Sequence, residues 1–365
     1  MNPTPPTDKK IADRKDSHLA ICLEKNIDYY GSDSNGFGAY RFEHDALPEI
    51  DFAEICLETE FLGKRLAAPI IIGSMTGGTA RAAEINRRLA LAAEHCQVGM
   101  ALGSQRKLLT QRGDKTVAAS YAVREVAPRL PLLFGNLGAV QLNYGVTAGQ
   151  LRELVEWTRC DAFNFHLNPL QEAIQPEGDR NFKGLLAKLS ACIPELGVPV
   201  FAKEVGAGIS TTTARKLREL PLRGVEVAGS GGTSWSRIES LRAKGTMEAE
   251  VGALFAQWGI PTAESLVVCR RELPQHWLVA SGGIRNGIEI AKSLALGAHV
   301  AALALPLLKA AEGSEDEAIR VIQRLIAELK TAMFVVGVSS VDELRAKGPS
   351  LLRAVHDVTP EGGRP

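Results

Sequence analysis

The sequence has no apolar run approaching the roughly 20 residues that a membrane-spanning helix needs, and its opening, MNPTPPTDKKIADRKD, lacks the apolar core of a secretion signal. A cytosolic protein is the expectation that follows. Charge of one sign is also missing. Lys and Arg total 42, as do Asp and Glu, so no global field draws the chain to nucleic acid or an anionic membrane, and any anion site must be local. The six cysteines, Cys22, Cys56, Cys96, Cys160, Cys192 and Cys269, show no Cys-x-x-Cys and no close Cys/His spacing. That removes a zinc site and a disulfide framework and leaves reduced packing residues. Neither G-x-x-x-x-G-K-S/T nor a G-x-G-x-x-G after a first strand is present, which argues against P-loop and dinucleotide-binding folds.

What is there is a long, moderately apolar chain. Its 365 residues, 45% of them apolar, suffice for one large barrel or two ordinary domains. Residues 1–13 are rich in proline and charge, so a disordered tail is expected, with structure beginning near Ile11. A second tail is expected at 346–365. Segment 28–50, DYYGSDSNGFGAYRFEHDALPEI, has neither helical nor strand periodicity and reads as a long ordered loop of the kind that covers sites. From Pro69 onward, short apolar runs alternate with amphipathic stretches, the signature of repeated βα units. Eight runs stand at 68–74, 98–103, 130–136, 161–167, 198–205, 224–229, 276–283 and 299–305. That number of near-continuous apolar strands predicts an α/β fold, a (β/α)₈ TIM barrel with an N-terminal extension, over residues 14–345. Residues 234–258 exceed a normal crossover and predict a partly helical insertion after strand six.

Polar and glycine-rich residues gather where each run ends, the face on which such a barrel builds its active site. The first run ends in Gly73-Ser74-Met75-Thr76-Gly77-Gly78, either a plain turn before a helix or small residues that let backbone amides approach a flat ligand. The next two end in Gly103-Ser104-Gln105-Arg106 and Gly135-Asn136-Leu137-Gly138. Taken singly, Ser104 reads as readily as an N-cap, Arg106 as a solvated charge and Asn136 as a turn residue. Strand four is sharper. In Phe163-Asn164-Phe165-His166-Leu167-Asn168 the period of two puts three polar side chains on one face, and burying Asn, His and Asn in a barrel lumen is costly without partners or a ligand. Beyond them, Glu172 is either a surface acid or the single carboxylate that a hard cation such as Mg²⁺ needs beside phosphate oxygens. Lys203, closing strand five, is either neutralised by Glu204 or faces an electron-rich ligand, and its end-of-strand position favours the ligand. Glycine turns at Gly229-Ser230-Gly231-Gly232-Thr233 and Ser281-Gly282-Gly283-Ile284-Arg285, with Ala304-Leu305-Pro306 after strand eight, form a place where barrels commonly bind phosphate. Near the N-terminus Arg14 and His18 share one helical face with Lys15 beside them, as in any solvated basic helix start.

These motifs in order resemble the type 2 isopentenyl-diphosphate isomerases, FMN-dependent barrel enzymes, from about Arg14 to Leu344. The likeness runs through Arg-Lys-x-x-His, Ser-Met-Thr-Gly-Gly, Gly-Ser-Gln-Arg, His-Leu-Asn-Pro-Leu-Gln-Glu, Lys-Glu-Val-Gly and Ser-Gly-Gly-Ile-Arg. Strands six to eight are shared with many flavin oxidoreductases, whereas the stretch from His166 to Glu172 and the N-terminal basic motif are particular to the isomerases. The resemblance implies FMN against Ser74, Met75 and Thr76, with Ser104, Asn136 and Lys203 around its ring and Thr233, Gly282, Gly283, Ala304 and Leu305 near its phosphate. It implies a substrate diphosphate on Arg14, Lys15, His18, Ser104, Gln105 and Arg106, with Gln171 near the hydrocarbon end and Mg²⁺ on Glu172. Lys203, Gln171, His166 and Asn168 become the catalytic candidates. Reduced FMN would be the active form, NAD(P)H its reductant, and a tetramer or octamer the assembly. Ser17 stands where the family often has an acid, and strand eight lacks the glycine common in related phosphate sites. The alternative, an FMN-dependent 2-hydroxy-acid oxidoreductase, needs a His–Arg pair before the strand-seven glycines, where this chain has only His276 at the strand's start.

Overall fold

The computed structural model describes residues 8–355 apart from Tyr30, Ser32 and Arg112, with side chains from Arg14 onward. Eight parallel strands form a closed barrel: β1 (Ile70–Ile72), β2 (Gly99–Ala101), β3 (Leu133–Gly138), β4 (Ala162–Leu167), β5 (Val200–Glu204), β6 (Gly224–Glu226), β7 (Trp277–Ala280) and β8 (Val300–Leu303). Closure comes from β8 pairing back onto β1, Ala301 opposite Ile70 and Leu303 opposite Ile72. Each strand lies within the apolar run expected for it, except that β3 continues past Asn136 to Gly138.

Alternation along the strands sorts side chains into two cores. Phe163 and Phe165 of β4 point outward and pack with the surrounding helices. The inward set near the strands' N-terminal ends is apolar and includes Ile71, Phe134, Ala162, Phe201, Val279 and Ala302. An antiparallel hairpin, Thr59–Phe61 with Lys64–Leu66, plugs that end of the barrel. Its Phe61 is fully buried and meets the rings of Trp277, Phe201 and Phe134 at centroid distances of 4.9, 6.1 and 6.4 Å. The floor is thereby sealed with aromatic surface, and the polar inward residues of β3, β4 and β5 lie above it.

The sequence predicted a tail over residues 1–13, but helix α1 spans Asp8–Glu24, so residues 8–13 are helical, while 1–7 lie outside the described residues. The tail expected at 346–365 is likewise corrected up to residue 355, while 356–365 lie outside the described residues. A helix over Val341–Leu351, N-capped by Ser340, continues into the strand Leu352–Ala354, which pairs antiparallel with Tyr40–Phe42. Its Gly348 sits so close to Ala295 that a Cβ would stand 2.3 Å from the Ala295 carbonyl oxygen. Tertiary packing, with Val341 and Leu344 buried, therefore holds a segment whose Gly-Pro pair breaks helices elsewhere. The insertion after β6 comprises α2 (Trp235–Arg242), α3 (Met247–Leu254) and a 3-10 turn at Phe255–Gln257. Trp235 meets the His18 ring of α1 edge-on at 5.3 Å, which brings insertion and N-terminal helix together over the barrel mouth.

Candidate active site

A cavity of about 240 Å³ opens at the C-terminal ends of the strands. Its wall includes every residue singled out from the sequence for cofactor, substrate or metal except Gln105. Gln105 is fully buried, and its Oε1 accepts the Asn136 backbone N–H at 2.7 Å, bracing the ends of β2 and β3 behind the wall. Asn164 also lies outside the wall, buried in the lumen, its Oδ1 without a partner among the described residues.

Lys203 points into the cavity from β5. Its Nζ lies 2.7 Å from Glu226 Oε1 and donates to the Glu204 carbonyl at 2.9 Å. Glu226 in turn accepts from Ser281 Oγ at 2.8 Å. Glu204 does not neutralise the lysine: one carboxylate oxygen collects the backbone N–H groups of Val205, Gly206, Ala207 and Gly208 and shapes the turn after β5. Glu226 escaped the sequence reading, although a lone carboxylate inside the run GVEVAG was the signal that could have found it.

Asn136 and His166 face each other across β3 and β4, with Asn136 Oδ1 2.9 Å from His166 Nδ1. Asn136 Nδ2 donates to the Leu102 carbonyl at 3.1 Å, which fixes the amide so that Oδ1 is the acceptor. The histidine proton must then sit on Nδ1, leaving Nε2 as an acceptor. Burial, reinforced by the charges of Lys203 and Lys15, holds the imidazole pKa down at about 3, so the ring is neutral at ordinary pH.

The mouth is assembled from three elements distant in sequence. Glu239 of α2 is completely buried; one oxygen lies 2.9 Å from His18 Nε2, and the other accepts from Arg242 Nε at 2.8 Å. Burial pushes this carboxyl up, but contact with His18 and Arg242 outweighs it and brings the pKa to about 2. Gln171 donates to the same carboxylate at 3.3 Å, and Gln175 donates to it at 3.1 Å while accepting from Arg14 at 2.7 Å. In the sequence Glu239 looks like an ordinary helix-surface acid, and nothing local marks it. Glu172 accepts from Asn168 Nδ2 at 2.8 Å and from the Asp179 backbone at 2.6 Å, its pKa raised by burial. Among the described residues no three His, Cys, Asp or Glu side chains cluster to hold a metal ion, so a cation at Glu172 needs ligands from a bound molecule.

The cations at the mouth are unequally compensated. Arg106 pairs with Asp179. Lys15 is half-buried, donates to Tyr121 Oη at 2.7 Å and the Ser104 carbonyl at 3.1 Å, and has no carboxylate within ion-pair distance among the described residues. Burial, then the charges of Arg14, Lys107 and Arg106, depress its pKa well below the ordinary lysine value. A half-buried ammonium with no counterion among the described residues is a site prepared for an anion. Opposite it, Gly282 and Gly283 turn at φ +102° and +75°, and the helix α4 (Leu305–Gly313) starts at Ala304 with no side-chain cap, the backbone arrangement that grips a phosphate. Ser74 Oγ is buried without a partner among the described residues. A flat, phosphate-bearing, electron-rich group such as FMN fits this donor set.

The isopentenyl-diphosphate delta-isomerase of Nostoc sp. is 45% identical to this chain over 95% of its length and 98% of the relative's. The chain belongs to the isopentenyl-diphosphate delta-isomerase family. Its relatives of the same name from Oceanobacillus iheyensis, 43% identical over 93% of this chain and 95% of their own, and Synechococcus sp., 44% over 95% and 97%, agree. The FMN-dependent dehydrogenase family matches residues 185–352. Among solved structures, a chimera of (S)-mandelate dehydrogenase superposes with TM-score 0.66 at 18% identity over 95% of this chain and 98% of its own. A mandelate oxidase variant with an FMN adduct gives 0.63 at 16% over 93% and 97%. At such identities these likenesses carry the fold alone. In this isomerase family member His276 precedes β7 at the sealed end of the barrel, away from the cavity, whose imidazoles are His18 and His166.

Proposed function

We propose that this protein is an FMN-dependent enzyme of isoprenoid biosynthesis that interconverts isopentenyl and dimethylallyl diphosphate by adding a proton to one alkene carbon and removing one from its allylic neighbour. The observation that carries this reading is one cavity joining a half-buried Lys15, which has no carboxylate partner among the described residues, to a glycine and helix-terminus phosphate cradle, in a chain of this family. Bound FMN, in its reduced form, supplies the acid–base chemistry at its ring edge. Ser74, Met75, Thr76, Ser104 and Asn136 hold the ring, and Thr233, Gly282, Gly283, Ala304 and Leu305 hold the phosphate. Lys203, steadied by Glu226, offsets the negative charge of the ring. Arg14, Lys15, His18, Ser104 and Arg106 take the diphosphate, with Gln105 bracing the wall behind Asn136. Asn168, Gln171 and His166 orient the hydrocarbon end. Glu172 contributes one carboxylate to Mg²⁺, and the diphosphate oxygens supply further ligands. NAD(P)H serves to reduce the flavin, the enzyme works as a tetramer or octamer, and its compartment is the cytosol.

Incubating the anaerobic, reduced protein with isopentenyl diphosphate and Mg²⁺ tests the reading. The dimethylallyl isomer should form, and chelation of Mg²⁺ should stop it. Bound flavin with no isomer formed would point to a binding protein, and flavin bleaching by lactate to a hydroxy-acid oxidoreductase.

A further inference from the structure

The loops expected to hold the cofactor phosphate are themselves strapped down. The described residues of the segment leaving α1, among them Asp28, Tyr29 and Asn35, contact both of them. Tyr29 N–H donates to the Gly232 carbonyl at 3.0 Å, Asp28 forms an isolated antiparallel bridge with Thr233, and the Asp28 carboxylate lies 3.0 Å from the Arg285 guanidinium. At the centre is Asn35, 4% exposed. Its Nδ2 donates to the Gly283 carbonyl at 2.9 Å and to Glu289 Oε1 at 2.8 Å, and its Oδ1 accepts from the Phe37 N–H at 3.1 Å. Glu289 closes the circuit, because its other oxygen accepts from the Arg285 N–H at 2.6 Å. Gly231 of the neighbouring loop packs on the same residue so tightly that a Cβ there would stand 2.3 Å from Asn35 Cα.

In a trans peptide the carbonyl and the following N–H point in opposite directions. Pinning the Gly283 carbonyl to Asn35 therefore turns the Ile284 N–H to the face opposite Asn35, and keeps a carbonyl dipole from swinging toward an anion. Asn35 stands outside the cavity wall, whereas Gly282, Gly283 and Ile284 line it. We propose that Asn35 is a positioning residue for the cofactor phosphate, acting through the backbone of the Gly282–Gly283 turn; this rests on the flavin reading above. Its action reaches the phosphate and leaves the ring site untouched.

Riboflavin, which has the ring without the phosphate, separates that role from a merely structural one. Full-length protein freed of flavin is titrated with FMN and with riboflavin, following quenching of flavin fluorescence. Asn35→Ala should raise the Kd for FMN by about tenfold or more, the size expected from losing a buried hydrogen-bond pair, and leave riboflavin affinity unchanged. Asn35→Asp has the same shape and keeps the acceptor for Phe37 but loses both donors; it should behave alike and serves if the alanine variant does not fold. Unchanged FMN affinity, or equal loss for both flavins, overturns the proposal. Wild-type protein that binds neither flavin overturns the flavin reading itself.

Discussion

At Lys203 a charge is placed by three neighbours, Glu226, Ser281 through Glu226, and the Glu204 carbonyl. The ammonium is thus held where, in the proposed reading, it would meet an electron-rich ring without rearranging, which is how preorganised charge lowers a barrier. Lys203→Gln should slow turnover of the pre-reduced enzyme by about 10²–10³-fold, measured by single-turnover isomer formation; unchanged turnover would remove the lysine from the chemistry. Lys15 makes a different prediction, one about pH. Its pKa is depressed because burial and neighbouring cations oppose its charge, and the negative charge of a bound diphosphate counteracts that depression by favouring the ammonium. Affinity for the anion is complete while Lys15 is protonated and falls as pH rises through its depressed value, so KM should climb on the alkaline side well before the ordinary lysine range. Lys15→Arg, which stays protonated, should flatten that limb of the KM profile.

Among the elements, the hairpin Thr59–Phe61 with Lys64–Leu66 and the insertion helix α2 do the most for the site. The hairpin closes the lumen so that the polar inward residues of β3 to β5 stand on an apolar floor rich in aromatic rings. Phe61→Ala should cost about 3–5 kcal/mol in denaturant unfolding, the penalty of a large cavity among packed rings; a loss under about 1 kcal/mol would show that the floor collapses to refill the space. Glu239 of α2 gathers His18 from α1, Gln171 from the short helix Pro169–Ile174 after β4 and Arg242 from its own helix. None of this could be read from SRIESLR, because the partners are far apart in sequence. The strands themselves were legible because burial on both faces writes an apolar run into each. The corrected ends, residues 8–13 and 346–354, were not: proline, charge and a Gly-Pro pair describe local preference, while docking on neighbouring helices decides the outcome.

For the whole molecule, cofactor and fold are thermodynamically linked, since the cavity wall is contributed by strands from every part of the barrel and by α1. FMN at 100 times its Kd should therefore stabilise the protein by about 2.7 kcal/mol and raise the Tm, with riboflavin contributing less; a Tm indifferent to FMN would contradict a site inside the barrel. The sequence by itself determined the barrel, since eight apolar runs with polar ends specify strand number, direction and the active face through periodicities only a few residues long. It also supplied the motifs that the cavity wall collects, including the alternation that sets Asn164 and His166 inward. Only the tertiary structure decided which charge meets which. Glu226 takes Lys203, Glu204 turns to the backbone, Gln105 lies behind the wall and Lys15 is left without a counterion among the described residues. Such choices depend on distances and burial that arise when remote segments meet, and electrostatic energies respond to those quantities far more steeply than to residue type.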